Sequence, residues 1–129
     1  MDRIRICHKN IIELLKKTHI YAFPSIWPET SCISAIESMA AGCEVVATNL
    51  GALYETCAPF GTLVGFDRNF KNLEKRYSKI LLNSIQNFWS EENQKKLKLQ
   101  REIINATYSW DVRAKEWKNF FDEVRKLKN

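Results

Sequence analysis

The 129-residue chain has little with which to hold a metal or a disulfide framework. Its four cysteines are Cys7, Cys32, Cys43 and Cys57, and no two of them form a C-x-x-C pair. Only two histidines, His8 and His19, accompany them. Zinc sites draw on closely spaced Cys and His, so zinc is not expected. The thiols read instead as core or loop side chains in a reducing compartment. Neither histidine has an acid or cysteine placed to make a catalytic dyad, and both read as structural. No apolar run approaches the ~20 residues that a membrane-spanning helix needs. The start is interrupted by Arg3, Arg5 and Lys9, which is not the pattern of a signal peptide. A cytoplasmic setting is expected. There is no internal repeat, no low-complexity tract and no linker composition that would divide the chain.

What is present is ordinary for a folded soluble protein. With 45% hydrophobic and 27% charged residues, the length suits one domain with a modest core. The formal net charge of +5 favours anionic ligands or surfaces, such as nucleotide diphosphates and acidic lipid headgroups. Nucleic acid is not expected as a partner, because no aromatic-basic binding motif accompanies the charge. Lys95, Lys96, Lys98 and Arg101 read as a solvated helix face, with peripheral contact to anionic lipid at the inner membrane face as the alternative.

Periodicity splits this one domain into an α/β part, residues 1–66, and a helical part, residues 67–129. Residues 3–7 alternate as a strand does. Asn10 is placed to cap a helix running to about residue 18, with Ile11, Leu14 and Leu15 on its apolar face. Residues 19–23 form a second strand, stopped by Pro24. Further strands are expected at 44–48 and 62–64. The loop between them, 49–59, holds one helical turn near 53–57. Such alternation predicts a Rossmann-like parallel sheet with helices on both faces. Ligands in these sheets sit at the carboxyl ends of the strands, where 24–29 and 49–52 fall. Phe70, Leu73, Tyr77, Ile80, Leu81, Ile85 and Phe88 then recur at three- and four-residue steps, the mark of an amphipathic helix. Residues 91–108 continue helical and more polar. Ser109 caps a last helix, whose stripe of Trp110, Ala114, Trp117, Phe121, Val124 and Leu127 is expected to be core.

The densest signal lies in residues 24–55. Glu29 and Glu37 stand eight positions apart. Pro24 and Pro28 exclude a helix through Glu29, which is left on a loop. Thr30 and Ser31 are suited to capping the helix that follows, with Ile33, Ile36 and Ala40 on one face and Met39 beside it. Gly42 fits the left-handed position that ends many helices. Glu37 lies well inside this helix, and eight helical positions set the two carboxylates about 80° apart, so both can line one cleft at its start. Free N–H groups and the positive pole there suit a phosphate. A phosphate between two carboxylates points to a ligand with hydroxyls at both ends, the shape of a nucleotide sugar. Ser25 reads as a tie within the loop. Glu55 is open to either a ligand contact or a loop role.

These residues resemble the donor-site motif of family 4 retaining glycosyltransferases of the GT-B fold. That motif runs Pro-Ser, a short loop, Glu, seven residues, Glu, Ala/Ser-Met-Ala-x-Gly and Val-Val-Ala. Here it is Pro24-Ser25, Glu29, Glu37, Ser38-Met39-Ala40-Ala41-Gly42 and Val45-Val46-Ala47. Tyr108-Ser109-Trp110 is similar to the family's aromatic-Ser-Trp signature before its last helix. Two departures stand out. Ser31-Cys32 replaces a frequent Phe-Gly, a bulkier choice. The later Gly-Gly-x-x-Glu motif lacks its first glycine, so only Gly51 and Glu55 carry over.

The resemblance implies roles. Glu37 binds the ribose hydroxyls of the donor. Glu29 lies near the donor sugar and is the catalytic candidate. Backbone N–H groups of Thr30, Ser31, Cys32 and Ile33 meet the sugar and pyrophosphate, and Gly51 joins the donor site. The donor would be a UDP- or GDP-linked sugar, with no metal and no further cofactor. The intact enzyme would transfer a hexose to a glycan or lipid-linked acceptor with retention of configuration. In the family, a basic phosphate clamp and an acceptor-side domain lie upstream of the matched region. The chain is therefore expected to be the C-terminal, donor-side domain alone: a piece of a longer enzyme, a reduced gene product, or one subunit of a split enzyme. The N-terminal acceptor domain would act in cis or trans. Weak or no transfer by the isolated chain is expected. The alternative is an inactive remnant serving as a nucleotide-binding or protein-interaction module.

Overall fold

The computed structural model describes residues 8–127, so the strand expected at residues 3–7 lies outside the described residues. Helix α1 (His8–Leu15) already includes Asn10, which therefore does not cap it. It ends earlier than the expected residue 18, turning off through bonds from Lys17 N to Leu14 O and from Thr18 N to Leu15 O, each 3.0 Å. Of its expected apolar face only Leu15 is buried.

Three short strands follow: β1 (Ile20–Phe23), β2 (Glu44–Asn49) and β3 (Thr62–Gly65). They form one parallel sheet in the order β1-β2-β3. Ile20 stands opposite Glu44, and Val46 opposite Thr62. The central strand β2 is buried from Glu44 to Thr48, as a parallel strand covered on both faces must be. Its alternation sends Val45 and Ala47 to one face and Val46 to the other.

The connections decide which helix covers which face. Helices α2 (Ile33–Ala41) and α3 (Leu53–Cys57) each link one strand to the next in line. Right-handed crossovers stepping in one direction put both on the same side. Ala35 and Met39 of α2 and Leu53 and Cys57 of α3 accordingly pack with Val45 and Ala47. Helix α4 (Phe70–Asn87) covers the other face, placing Leu73 and Tyr77 against Val46 and Val64. The Tyr77 hydroxyl donates to the Val46 carbonyl at 2.6 Å, and burial pushes its pKa up to about 12. The fold is thus the expected Rossmann-like sheet with helices on both faces and a helical C-terminal segment. Two members of the expected α4 stripe, Phe70 and Ile85, remain exposed.

Helix α5 (Glu91–Thr107) packs on α2. Ser90 caps it, accepting from Asn93 N, and Glu91 and Glu92 complement the positive pole of its first turn. It buries Leu97, Gln100 and Ile104. Gln100 Nε2 donates to Met39 O at 3.1 Å and to Cys43 O at 2.8 Å, and Asn105 Nδ2 donates to Ala40 O at 3.0 Å. Gly42 takes the expected left-handed conformation, φ 98°, and its N–H also bonds Met39 O. A glycine turn and two side chains of α5 thereby satisfy the carbonyls at the end of α2.

Helix α6 (Trp110–Lys126) begins, as expected, at a Ser109 cap that accepts from Val112 N. The expectation that its aromatic stripe is core is overturned. No α6 residue is buried, and Trp110, Trp117, Phe120 and Phe121 all face solvent. Amphipathic periodicity records a face that requires a partner, and among the described residues no element buries it. The helix is supported from within, by Arg113–Glu116 at 2.9 Å, Lys126–Glu123 at 2.7 Å, Asp111 in the first turn and Arg125 in the last. No described helix is long and apolar enough to cross a membrane.

Candidate functional site

The site is assembled where β1 and β2 end. The loop after β1 is tied down by Ser25, whose Oγ donates to Trp27 O at 3.1 Å and accepts from Trp27 N at 3.2 Å. The Thr48 hydroxyl at the end of β2 donates to the Ser25 carbonyl. Glu29 then pairs with Gly51 in an isolated parallel bridge, and Ala52 N donates to Glu29 O at 2.7 Å. Gly51 has φ 62°. A Cβ on it would collide with the Glu29 carbonyl oxygen and lie 2.6 Å from the Glu29 nitrogen. The glycine is therefore required both by conformation and by this close backbone approach.

The bridge explains one correction. Thr30 and Ser31 do not cap α2: both are exposed ahead of it, and Cys32 occupies the N-cap with no side-chain cap bond. Tethering Glu29 to Gly51 delays the helix to Ile33. A second correction concerns the buried face. Ala35, Ser38 and Met39 turn inward, while Ile33 is 67% exposed at the helix start. The first turn thus begins without a side-chain cap bond from Cys32, with Thr30, Ser31 and Ile33 at the surface around it.

Beneath that start lies a small polar cluster. The Tyr21 hydroxyl donates to Ser34 Oγ at 2.9 Å, and Cys32 Sγ lies 3.3 Å from the same oxygen. Burial raises the Tyr21 pKa, the Ser34 bond works against that, and the neighbouring Cys32, Glu29 and Cys57 add to the rise. Burial also pushes the Cys57 thiol up to about 11, with Cys32 contributing. The Cys43 thiol, raised by burial, is directed at Leu15 O and Thr18 O, 3.4 and 3.3 Å away. All three described cysteines are free and buried.

Glu37 sits in different surroundings. It is half-buried and lines a cavity of about 650 Å³ with Ile12 of α1, Lys16 of the turn after α1, Ala40 and Ala41 of α2, and Arg101 and Asn105 of α5. Glu29 is not among the walls of that cavity. Glu55 is exposed on the first turn of α3. His19 is exposed, with its ring edge-on to Phe88 at 5.0 Å and Trp89 at 5.2 Å, a packing role. Among the described residues, no group of three or more His, Cys, Asp or Glu gathers where it could hold a metal ion.

Sequence reasoning missed two sets of residues. Trp27, 73% exposed, and Tyr54, 61% exposed, flank the Glu29–Gly51 bridge in sequence and offer open aromatic surface. A tryptophan directly before a loop proline is the signal that could have found the first. Lys16 comes to the Glu37 cavity from the turn after α1, and Arg101 and Asn105 come from α5; both are remote in sequence, and no local pattern announces them.

An open parallel sheet with helices on both faces and a built loop edge at its strand ends defines a partial Rossmann-like domain of the GT-B type. The family described as Glycosyl transferases group 1 matches residues 5–110. The chain belongs to that family, whose general chemistry is glycosyl transfer. No curated protein and no solved structure matches the chain. The family match stops at Trp110, so α6 beyond its first residue lies outside it.

Proposed function

We propose that this chain is the donor-binding part of a retaining family 4 glycosyltransferase that takes a UDP- or GDP-linked sugar and passes a hexose to a glycan or lipid-linked acceptor. In this reading Glu37 accepts hydrogen bonds from the ribose hydroxyls. The uncapped N–H groups around Thr30, Ser31, Cys32 and Ile33 hold the diphosphate at the positive pole of α2. Glu29 faces the donor sugar as its positive charge develops, and Gly51 keeps that edge free of side chain. Rate then rests on fixed charges and dipoles aimed at the leaving diphosphate and the oxocarbenium-like sugar, without a metal. The acceptor domain is contributed in cis or trans, at a cytoplasmic location. The observation that supports this reading most is the Glu29–Gly51 bridge beside an α2 start that no side chain caps.

Calorimetric titration with UDP, GDP, ADP and their sugar conjugates tests it. Saturable binding of one nucleotide is expected. Glu37→Ala should weaken it about tenfold or more, since a hydrogen bond to a charged group is worth about 1.5–3 kcal/mol. Gly51→Ala, forced against the Glu29 backbone, should reduce the added affinity of the sugar conjugate. A folded chain that binds none of these ligands would refute the reading and return attention to an interaction module.

A further inference from the structure

The sheet edge opposite Glu29 and Gly51 carries a second polar site. Glu44 opens β2 and Thr62 opens β3. Together with the end of α4 and the start of α5 they line a cavity of about 360 Å³. Two of its walls are buried polar side chains from different elements. Glu44 is 4% exposed, and its Oε2 accepts from Asn93 Nδ2 at 3.0 Å. No cation among the described residues pairs with it. Ser84 of α4 is 6% exposed, and its hydroxyl, which has no partner among the described residues, opens onto the cavity. A carboxylate withdrawn from water with one neutral donor is under-compensated, since buried charges are ordinarily paired.

The neighbouring amides have spent their donors. Asn93 Nδ2 also donates to Phe88 O at 3.0 Å, and both of its partners can only accept, which fixes the orientation of that amide. Asn87 Nδ2 donates to Asn83 O at 2.9 Å and to Asn83 Oδ1 at 3.0 Å. Asn87 and Asn93 therefore offer the cavity carbonyl oxygen. Among the lining charges, Glu44 and Glu92 outnumber Lys96. Nearby cations are engaged or stand elsewhere: Lys95 pairs with Glu91 at 2.7 Å, Arg76 pairs with Asp67 at 3.0 Å, and Lys79 lines a separate groove. The cavity is thus rich in acceptors and negative in net charge. A metal ion is the poorer occupant, because no described cluster of three His, Cys, Asp or Glu gathers there.

We propose that this cavity binds a small organic ammonium, its N–H donors shared between the Glu44 carboxylate and the oxygens of Ser84, Asn87 and Asn93. The volume is at the lower end of the about 300–1,000 Å³ common for ligand sites and suits a short amine. Glu44, Ser84 and Asn93 belong to β2, α4 and α5, so one ligand joins three elements and stabilises the folded chain by mass action. The rival occupant is the chain's own Lys96 ammonium, half-buried on α5.

Thermal unfolding and calorimetric titration of the full chain with putrescine, at fixed ionic strength, test the site. A saturable rise in melting temperature is expected. The neutral analogue 1,4-butanediol should produce none. Glu44→Gln keeps the volume and an acceptor for Asn93. It should weaken putrescine about tenfold or more, while the ligand-free melting temperature holds or rises. Ser84→Ala should weaken it less, by about threefold to tenfold. Lys96→Gln, which removes the rival cation, should tighten it, and this variant keeps the test decisive if Glu44→Gln does not fold. No saturable effect of putrescine, an equal effect of butanediol, affinity unchanged in Glu44→Gln, weaker binding in Lys96→Gln, or tighter binding of Mg²⁺ than of putrescine would each overturn the proposal. Loss of putrescine binding in Glu37→Ala would place the amine at the other carboxylate and overturn it too. None of these outcomes depends on whether the chain binds a nucleotide.

Discussion

Helices α5 and α6 are each 17 residues long, each is capped by a serine, and they are separated only by Tyr108 and Ser109. By sequence α6 is the better core helix, with two tryptophans and two phenylalanines. Yet α5 buries three side chains and α6 none. The difference lies in what each meets. The terminal carbonyls of α2 need donors, and Gln100 and Asn105 of α5 supply them. The aromatic stripe of α6 needs apolar surface, and no other described element supplies enough to bury it. Polar side chains at a helix end thus fix α5 more firmly than aromatic area fixes α6.

That contrast can be broken in three ways. The largest effect is expected from Gln100→Ala, which leaves a cavity and strips a donor from Met39 O and Cys43 O. About 2–3 kcal/mol should be lost in urea unfolding, tempered because Gln100 Oε1 already lacks a partner. Trp117→Ala, a larger truncation, should change stability by less than about 0.5 kcal/mol at dilutions where the chain is monomeric.

Next is alkaline pH, which acts on the core beneath α5 and not on α6. The unfolded chain releases the Cys57 proton near 9.0, whereas the folded core holds it to about 11. The unfolded state therefore binds fewer protons between those values. Stability from this group is complete below pH 9 and declines as pH rises through about 11, by on the order of 2 kcal/mol. Urea midpoints measured from pH 8 to 11 should fall, and Cys57→Ser should flatten the decline.

The smallest effect sharpens the comparison most. Ser90→Ala and Ser109→Ala remove the same cap bond. The first should cost about 1 kcal/mol of global stability. The second should lower helix content at 222 nm but leave the unfolding free energy from urea within about 0.3 kcal/mol, since α6 buries no residue.

Legibility in the sequence followed locality. The positions of the three described strands, the α3 turn, the left-handed Gly42, the Ser109 cap and the inward Leu73 and Tyr77 rest on neighbours within a few positions, and periodicity displays them. The N-cap of α2 did not read correctly, because Cys32 replaces Thr30 and Ser31 only through the bridge from Glu29 to Gly51. The inward face of α2 read correctly at Ile36, Met39 and Ala40, which pack on the core, but not at Ile33, which is exposed, while small Ala35 and Ser38 are buried in its place. The Glu29 and Glu37 motif was visible, but the surroundings of Glu37 were not, since Lys16 reaches them from the turn after α1 and Arg101 from α5. Burial of α6 was inferred from amphipathicity, which states a need and cannot name what meets it.

The chain leaves α5 through Tyr108, whose N–H still bonds Ile104 O, and enters α6 at Ser109. Across that step the clock changes. The buried residues before it, Gln100 and Ile104 among them, are exposed only by opening the body they pack in. A helix with no fully buried residue winds and unwinds beyond its first turn largely on its own, in about 0.1–1 μs for this length. The protein therefore keeps two lifetimes in one chain, and a contact captured by α6 is sampled many times over during a single life of the body that carries it.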